Sequence, residues 1–148
     1  MLLHGLTYDA IVAVPAICAL IQVSAEDLRR RIIPNRIVLP AWVLALSVNT
    51  VLHPDHAAEW FGWSFGAALC FLLFARITRG GLGMGDVKLV GFLGAVLGAQ
   101  VVPALVVGTA LGAVAAGLIL LRHGSDARTR TFAYGPFLAA GGLAMLVL

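Results

Sequence analysis

Long apolar runs constrain this chain more than any other feature of its sequence. Six of them can be read, at about 7–25, 37–52, 57–77, 87–97, 101–121 and 132–148. Only 11% of the residues are charged, against roughly 25% in an ordinary soluble domain. A soluble globular fold is therefore excluded, and each run must be a helix because hydrocarbon offers no water to the backbone. We expect an all-α polytopic membrane protein, a bundle of six transmembrane helices in a single domain over residues 1–148.

The fourth and fifth runs are separated only by Gly98, Ala99 and Gln100. One helix through both would reach roughly 50 Å, well beyond the hydrocarbon thickness, which favours two spans joined by a tight turn.

The basic residues support the same count of spans. All ten lie near the connections that follow the first, third and fifth runs: Arg29, Arg30, Arg31, Arg36, Arg76, Arg79, Lys88, Arg122, Arg128 and Arg130. With six spans, these connections share one side of the membrane. The positive-inside rule makes that side cytoplasmic and places both termini outside.

Small residues recur at the spacing used in helix packing within membranes. The pairs are Gly62 and Gly66, Gly94 and Gly98, and Gly108 and Gly112. Such pairs allow helix backbones to approach closely, so we expect a compact bundle.

The composition also limits the partners. The net charge of +3 comes from short basic connections, which indicates membrane topology and a lipid bilayer rather than nucleic acid. The two cysteines, Cys18 and Cys70, lie in apolar runs and form no CxxC pair, so neither a disulfide framework nor a cysteine zinc module is expected. The sequence does not define an oligomeric state.

Asp27 lies at the end of the first run, where an ionisable group is costly and calls for an explanation. One reading is a functional carboxylate. The other is a surface carboxylate paired with Arg30 or Arg31 at helical spacing. By composition alone, Glu26 is an equal candidate for a functional role.

Asp86 opens the fourth run, where an aspartate is a good N-cap and the helix dipole favours its charge. Four glycines in the six residues before it weaken that structural reading, because they permit a close backbone approach: Gly80, Gly81, Gly83 and Gly85. A peptide substrate lying along this backbone is one use for them.

Two facing carboxyl groups can hydrolyse an amide without a metal or other cofactor. The ionised group takes a proton from water, while the protonated group acts on the scissile bond, and repulsion makes the pair hold one shared proton. No HExxH, GxSxG or GK[ST] motif points to zinc, serine or phosphate chemistry. The residues do not reveal which aspartate is the base.

Three segments together resemble the type IV prepilin peptidase family. Asp27 is followed seven residues later by Pro34 and Asn35, which resembles the first family motif, and residues 83–89 resemble the second, GxGD. Residues 132–139 are similar to the family's last-helix segment.

The resemblance implies a membrane aspartyl endopeptidase that removes the short basic leader from prepilins or pseudopilins at the cytoplasmic face of the inner membrane. Asp27 and Asp86 match the catalytic pair. Further residues are candidates for substrate binding or for shaping the loops: Gly83 and Gly85 as the motif glycines, Pro34 and Asn35 in the first loop, Lys88 beside Asp86, and Glu26 and Asp126 as acids facing a basic leader.

The first cytoplasmic connection has about ten residues and no cysteine, whereas larger family members carry a cysteine-rich insert there and also N-methylate the new terminus. We therefore do not expect methylation. The compact form is similar to Flp/Tad-type pilus peptidases or to archaeal preflagellin-type enzymes.

Two alternatives remain. Tyr8 and Asp9 superficially fit the presenilin branch of GxGD proteases, but the inferred topology puts them about a bilayer away from Asp86. A non-enzymatic transporter subunit or pilus assembly factor would instead use Asp27 and Asp86 for ion coupling or packing.

Overall fold

A computed structural model of the chain describes residues 2–78, 82–123 and 134–147, with the side chains of 2–9 and 123 left out. These residues form six α-helices: α1 Leu2–Arg30, α2 Asn35–Leu52, α3 Ala57–Ile77, α4 Met84–Leu97, α5 Val101–His123 and α6 Gly135–Val147. Short 3-10 turns, Pro54–His56 and Gly98–Gln100, precede α3 and α5. The prediction of an all-α chain with six helices is confirmed within this described part.

Most of the helical part of the chain has the length and composition of membrane spans. By these criteria, four helical stretches of the described chain can cross a bilayer: Ala10–Arg30, Asn35–Leu52, Pro54–Ile77 and Met84–Arg122. The last stretch contains both α4 and α5, and α6 is a shorter apolar helix of 13 residues.

The chain reverses direction between α4 and α5. Gly98, at the end of α4, has a φ of 56°, in the left-handed region that glycine adopts without a steric penalty. Along α5, Gly108 lies against Leu138, and Gly112, one turn further on, lies against Tyr134. The sequence numbers therefore rise in α5 while they fall in α6, so these two helices are antiparallel.

In contrast, α4 and α6 run in the same direction. Ile33 lies against Gly85 in the first turn of α4 and against Gly135 in the first turn of α6. Further along the two helices, Gly142 lies against Leu93. Because α4 is parallel to α6 and α5 is antiparallel to it, the predicted turn between the fourth and fifth runs is correct. The basic connections consequently lie at the end of the bundle where α4 and α6 begin.

Helix α4 occupies the centre of the bundle. The helix has 14 residues, and all of those from 89 to 97 are buried. Glycines make this possible by admitting bulky neighbours: Gly91 lies against the Trp42 ring of α2, and Gly94 lies against the backbone of Ser64 in α3. Close backbone approach replaces the hydrophobic driving force that is missing in lipid.

Polar side chains also attach α4 to its neighbours. Trp42 Nε1 donates a hydrogen bond to Ser64 Oγ at 2.7 Å, and Ser64 Oγ donates to the Gly91 carbonyl at 2.9 Å. On the same helix, the Ala95 carbonyl accepts a hydrogen bond from Asn49 Nδ2 at 2.7 Å. These bonds satisfy buried polar groups that would otherwise be costly in an apolar interior.

The packing prediction for small residues is right for two pairs and wrong for the third. A Cβ on Gly94, Gly98, Gly108 or Gly112 would meet a neighbouring helix or its side chain, but a Cβ on Gly62 or Gly66 would meet nothing within 4 Å. The reason is that α3 approaches α4 through Ser64, which is two residues from each glycine and on another face of the helix. Gly62 and Gly66 instead line an apolar groove of about 490 Å³ between α3 and α5.

We expect Gly94→Ala to destabilise the bundle. A Cβ there would lie 2.7 Å from Ser64 Cα and from the Trp63 carbonyl oxygen, and backbone atoms cannot move away cheaply. The expected loss is about 1–3 kcal/mol of unfolding free energy, as for other overpacked cores. Chemical denaturation in detergent measures it.

The matched control is Gly62→Ala on α3, where the added methyl group has open space. Because alanine is the better helix former, this change should leave stability equal or raise it by up to about 1 kcal/mol. Equal losses in the two variants would contradict this account of the packing.

Candidate active site

Asp27 lies in the last turn of α1 and is buried, with 4% of its surface exposed. Its Oδ2 accepts a hydrogen bond of 3.1 Å from the backbone N–H of Gly135, the first residue of α6. The C-terminus of α1 disfavours a negative charge, whereas the N-terminus of α6 favours one. The start of α6 therefore compensates for the unfavourable position of Asp27 in its own helix.

The surface reading of Asp27 is wrong. Arg30 pairs with Glu26 instead, at 3.4 Å between Arg30 Nε and Glu26 Oε2. Asp27 points into the bundle, since it is buried while Glu26 and Arg30 remain open to solvent. Glu26 thus already has a basic partner within its own helix, and a basic leader would have to compete with Arg30 for it.

The chain turns sharply after α1. Arg31 has a φ of 54°, and its N–H donates to the Asp27 carbonyl at 2.8 Å, which ends the helix with a left-handed residue. Pro34 is the N-cap residue of α2, and its carbonyl accepts hydrogen bonds from the N–H groups of Ile37 and Val38 at 3.1 and 3.2 Å. This short connection places Ile33 over the buried end of α1.

Asp86 lies in the first turn of α4 and is 8% exposed. Its Oδ2 accepts a 3.2 Å hydrogen bond from the backbone N–H of Gly83, the N-cap residue. The expectation that Asp86 is the N-cap therefore places the start of α4 three residues too late: Gly83 is the cap, and Asp86 occupies the third position of the helix and reaches back to it. Gly83 and Gly85 flank it, Gly83 exposed and Gly85 half-buried.

Ile33 separates the starts of α4 and α6. A Cβ on Gly85 would lie 2.8 Å from Ile33 Cβ, and a Cβ on Gly135 would lie 3.2 Å from Ile33 Cδ1. Ile33 is itself buried, and its Cδ1 is within 3.3 Å of both glycine positions. Glycine is required at both positions because the same aliphatic side chain fills the space on either side.

The two acidic residues lie at the same end of the bundle. Asp27 Oδ2 accepts a hydrogen bond from the Gly135 amide, Gly135 packs against Ile33, and Ile33 packs against Gly85, the neighbour of Asp86 in α4. Within the described part of the chain, each carboxyl group uses only Oδ2 as an acceptor of the bonds given above.

The two sequence motifs are also linked directly. Lys88 Nζ on α4 donates a 3.0 Å hydrogen bond to Asn35 Oδ1 at the start of α2. This bond joins the connection that carries Ile33 to the helix that carries Asp86. The sequence analysis offers Lys88 and Asn35 as separate candidates for substrate binding or loop shaping, and the structure brings the two side chains into contact.

Some sequence candidates fall elsewhere. Tyr8 and Asp9 belong to α1, and the 18 residues between Asp9 and Asp27 correspond to about 27 Å of helix, which separates them from the acidic pair. The side chains of Tyr8 and Asp9 lie outside the described residues, as do Gly80, Gly81 and Asp126. In the described chain, no three His, Cys, Asp or Glu side chains form a potential metal-binding group.

The sequence does not reveal the roles of Gly135 and Ile33. Gly135 is followed by Pro136, and a proline close to a helix start is a signal for an N-terminus. That signal indicates where α6 begins. It does not indicate that the first amide of α6 binds a carboxylate 108 residues earlier in the chain.

The segment that contains Asp27 and Asp86 matches a known protein family. The model of the type IV leader peptidase family matches residues 14–121. The chain belongs to the type IV leader peptidase family.

Individual relatives give the same result. A prepilin leader peptidase/N-methyltransferase of Pseudomonas putida is 35% identical over 150 residues, covering 97% of this chain and 52% of the relative. One from Bacillus subtilis (strain 168) is 31% identical over 142 residues, covering 94% and 56%. Leader peptidase HopD of Escherichia coli is 32% identical over 136 residues, covering 84% of each chain.

The chain spans about half the length of the first two relatives and most of the length of HopD. No solved structure matches it.

We expect Gly135→Ala to impair the leader peptidase activity that is proposed in the next section, without unfolding the bundle. The new Cβ would lie 2.6 Å from Asp27 Oδ2 and would displace the carboxylate. Misplacement of a reacting group by about 1 Å can cost on the order of 100-fold in rate. The rate of leader removal from a prepilin in detergent measures the effect. The control is Gly117→Ala on α5, which has open space and should retain the full rate.

We expect Asn35 and Lys88 to be coupled energetically. Asn35→Ala and Lys88→Met each remove one side of the same hydrogen bond, so the double variant should lose less unfolding free energy than the two single losses combined. The coupling should be about 0.5–1.5 kcal/mol, the usual value of one such bond. Denaturation of the four proteins in detergent gives this quantity, and strictly additive losses would show that the bond contributes nothing.

Proposed function

We propose that this chain is a membrane-embedded aspartyl endopeptidase that removes the leader from type IV prepilins or pseudopilins. One observation carries the proposal: Asp27 and Asp86 are buried at the same end of the bundle, and each accepts a hydrogen bond from one glycine N–H. Structural carboxylates at helix ends are normally exposed or paired with a base. The family membership of the chain supports the same function.

The proposed chemistry uses one water molecule and one shared proton. The ionised carboxyl group takes a proton from water as the water oxygen attacks the carbonyl carbon, and the protonated carboxyl group gives its proton to the carbonyl oxygen. In the second step the C–N bond breaks. The leaving nitrogen receives a proton from the carboxyl group that took one from water, and the other carboxyl group recovers its proton from the tetrahedral intermediate. One peptide bond and one water are consumed, and the carboxyl pair is restored.

The hydrogen bonds at Oδ2 suit this mechanism. A backbone amide fixes each carboxyl group in position but carries no net charge. An arginine or lysine partner would instead form an ion pair and hold the carboxyl group in its ionised form. The pair therefore keeps its capacity to hold a single proton between two acidic groups. Oδ1 of each group is left to contact water and the scissile peptide.

The location of the basic residues supports a cytoplasmic site. Arg29, Arg30, Arg36, Arg76 and Lys88 lie at the end of the bundle where Asp27 and Asp86 lie. The positive-inside rule assigns this end to the cytoplasm. A prepilin whose apolar helix is embedded in the same membrane would present its leader at this end, with the scissile bond at the membrane boundary.

The non-enzymatic alternative, a transporter subunit or pilus assembly factor, is not favoured. The relatives described above are all named as leader peptidases. The alternative also makes a different prediction, because ion coupling or packing by the aspartates would leave prepilin processing intact when either is replaced.

We expect Asp27→Asn and Asp86→Asn each to abolish leader removal, with losses of at least about 1000-fold. Each substitution keeps the size of the side chain but removes its ability to exchange a proton. Because the two groups act as one unit, the double variant should be little worse than either single variant. Gel mobility of a co-expressed prepilin measures the processing.

The matched control is Asp55→Asn, an exposed aspartate in the turn before α3 at the opposite end of the bundle. This variant should process the prepilin at the original rate. Melting in detergent should show that all four variants are folded: the two single variants of the acidic pair, their double variant and Asp55→Asn. Normal processing by a folded Asp27→Asn or Asp86→Asn protein would refute the proposed function.

A further inference from the structure

Tyr134 immediately precedes α6 and is half-buried. Its carbonyl accepts hydrogen bonds from the N–H groups of Phe137 and Leu138, at 3.1 and 3.3 Å, so its backbone forms the first turn of the helix. The adjacent residue is Gly135, whose amide holds Asp27. The backbone of Tyr134 is therefore fixed relative to one carboxyl group of the acidic pair.

The aromatic ring of Tyr134 occupies a space provided by α5. A Cβ on Gly112 would lie 2.7 Å from Tyr134 Cε2 and 3.4 Å from Cζ, the carbon that carries the hydroxyl. Gly112 is buried and is one turn beyond Gly108, which lies against Leu138 of α6. The ring thus rests on α5 along its length, so α5 restricts the directions in which the hydroxyl can point.

The other carboxyl group of the pair belongs to the same packed region. Ile33 lies against Gly135, the residue after Tyr134, and also against Gly85, the residue before Asp86. Tyr134 is therefore connected to Asp27 through the adjacent amide and to the start of α4, which carries Asp86, through Ile33. Neither sequence motif that carries an aspartate contains this residue.

We propose that Tyr134 is a further catalytic residue, whose hydroxyl donates a hydrogen bond to the carbonyl oxygen of the scissile peptide, and that Gly112 positions its ring. The inference rests on the proposed function. It supplies a second donor to the carbonyl oxygen beside the protonated carboxyl group, and this donor stabilises the negative charge that develops on the oxygen before proton transfer is complete. No proton leaves the phenol, so the proton exchange between Asp27, Asp86 and water is unchanged.

Tyr134→Phe tests the hydroxyl alone, because the ring that packs on Gly112 is retained. We expect kcat for leader removal to fall about 100-fold, as when one donor to a developing oxyanion is removed, while KM changes by less than about twofold. The assay uses the full chain in detergent with a purified prepilin. A purely structural tyrosine would leave kcat unchanged or would reduce the melting temperature together with the activity.

Gly112→Ala tests the position of the ring. The new methyl group should displace the ring and lower kcat at least tenfold with the hydroxyl still present. Because both changes act through the same hydroxyl, the double variant with Tyr134→Phe should be no worse than about twofold below the poorer single variant. Gly117→Ala, on the same helix but facing open space, is the control that should keep the original kcat.

Three outcomes would overturn the inference: an unchanged kcat in a folded Tyr134→Phe protein, a loss confined to KM, or multiplicative losses in the double variant. Each presupposes that the unaltered chain cleaves the prepilin and that Asp86→Asn does not. If the unaltered chain fails to cleave, the proposed function fails first, so the two failures are distinguishable.

Discussion

The arrangement depends on two hydrogen bonds, each between a carboxylate and the backbone amide of a glycine. Gly135 donates to Asp27 from another helix, and Gly83 donates to Asp86 from the cap of its own helix. A hydrogen bond to a charged group contributes roughly 1.5–3 kcal/mol, which offsets part of the cost of burying an acidic side chain in an apolar bundle. A glycine is needed at the first of these donors because a side chain there would occupy the space of the carboxylate.

The packing of the other helices fixes the positions of these donors and acceptors along the bundle. The central helix α4 is enclosed by its neighbours and tied to them by Ser64 and Asn49, which fixes the depth of Asp86. Helix α6 packs against α1 near Leu20 and against α4 at Leu93, and this packing fixes the depth of Gly135. A helix that slid by one residue would move its end by about 1.5 Å and would break these bonds.

Much of this could be predicted from the sequence. Hydropathy and the placement of arginines predicted six helices, the turn at Gly98 and the location of Asp27 and Asp86 at one end of the bundle. These features could be predicted because each apolar run and each basic connection can be recognised from its own residues, without knowledge of which helices are in contact. Three features could not be predicted: the hydrogen-bond partner of Asp27, the position of Ile33 between two helices, and the absence, among the described residues, of a neighbouring helix at Gly62. They depend on which helix faces are in contact, and glycine spacing alone does not distinguish a face that meets another helix from one that faces lipid.

One hydrophobic side chain, Ile33, lies between the first turns of α4 and α6 and sets their separation. Its terminal methyl group contacts the places where Gly85 and Gly135 lack a side chain. A larger or smaller residue at this position would alter that separation, and with it the distance between the amide that holds Asp27 and the helix that bears Asp86. Side-chain volumes at these three positions should therefore covary among homologous proteins, although only position 85 belongs to the GxGD motif.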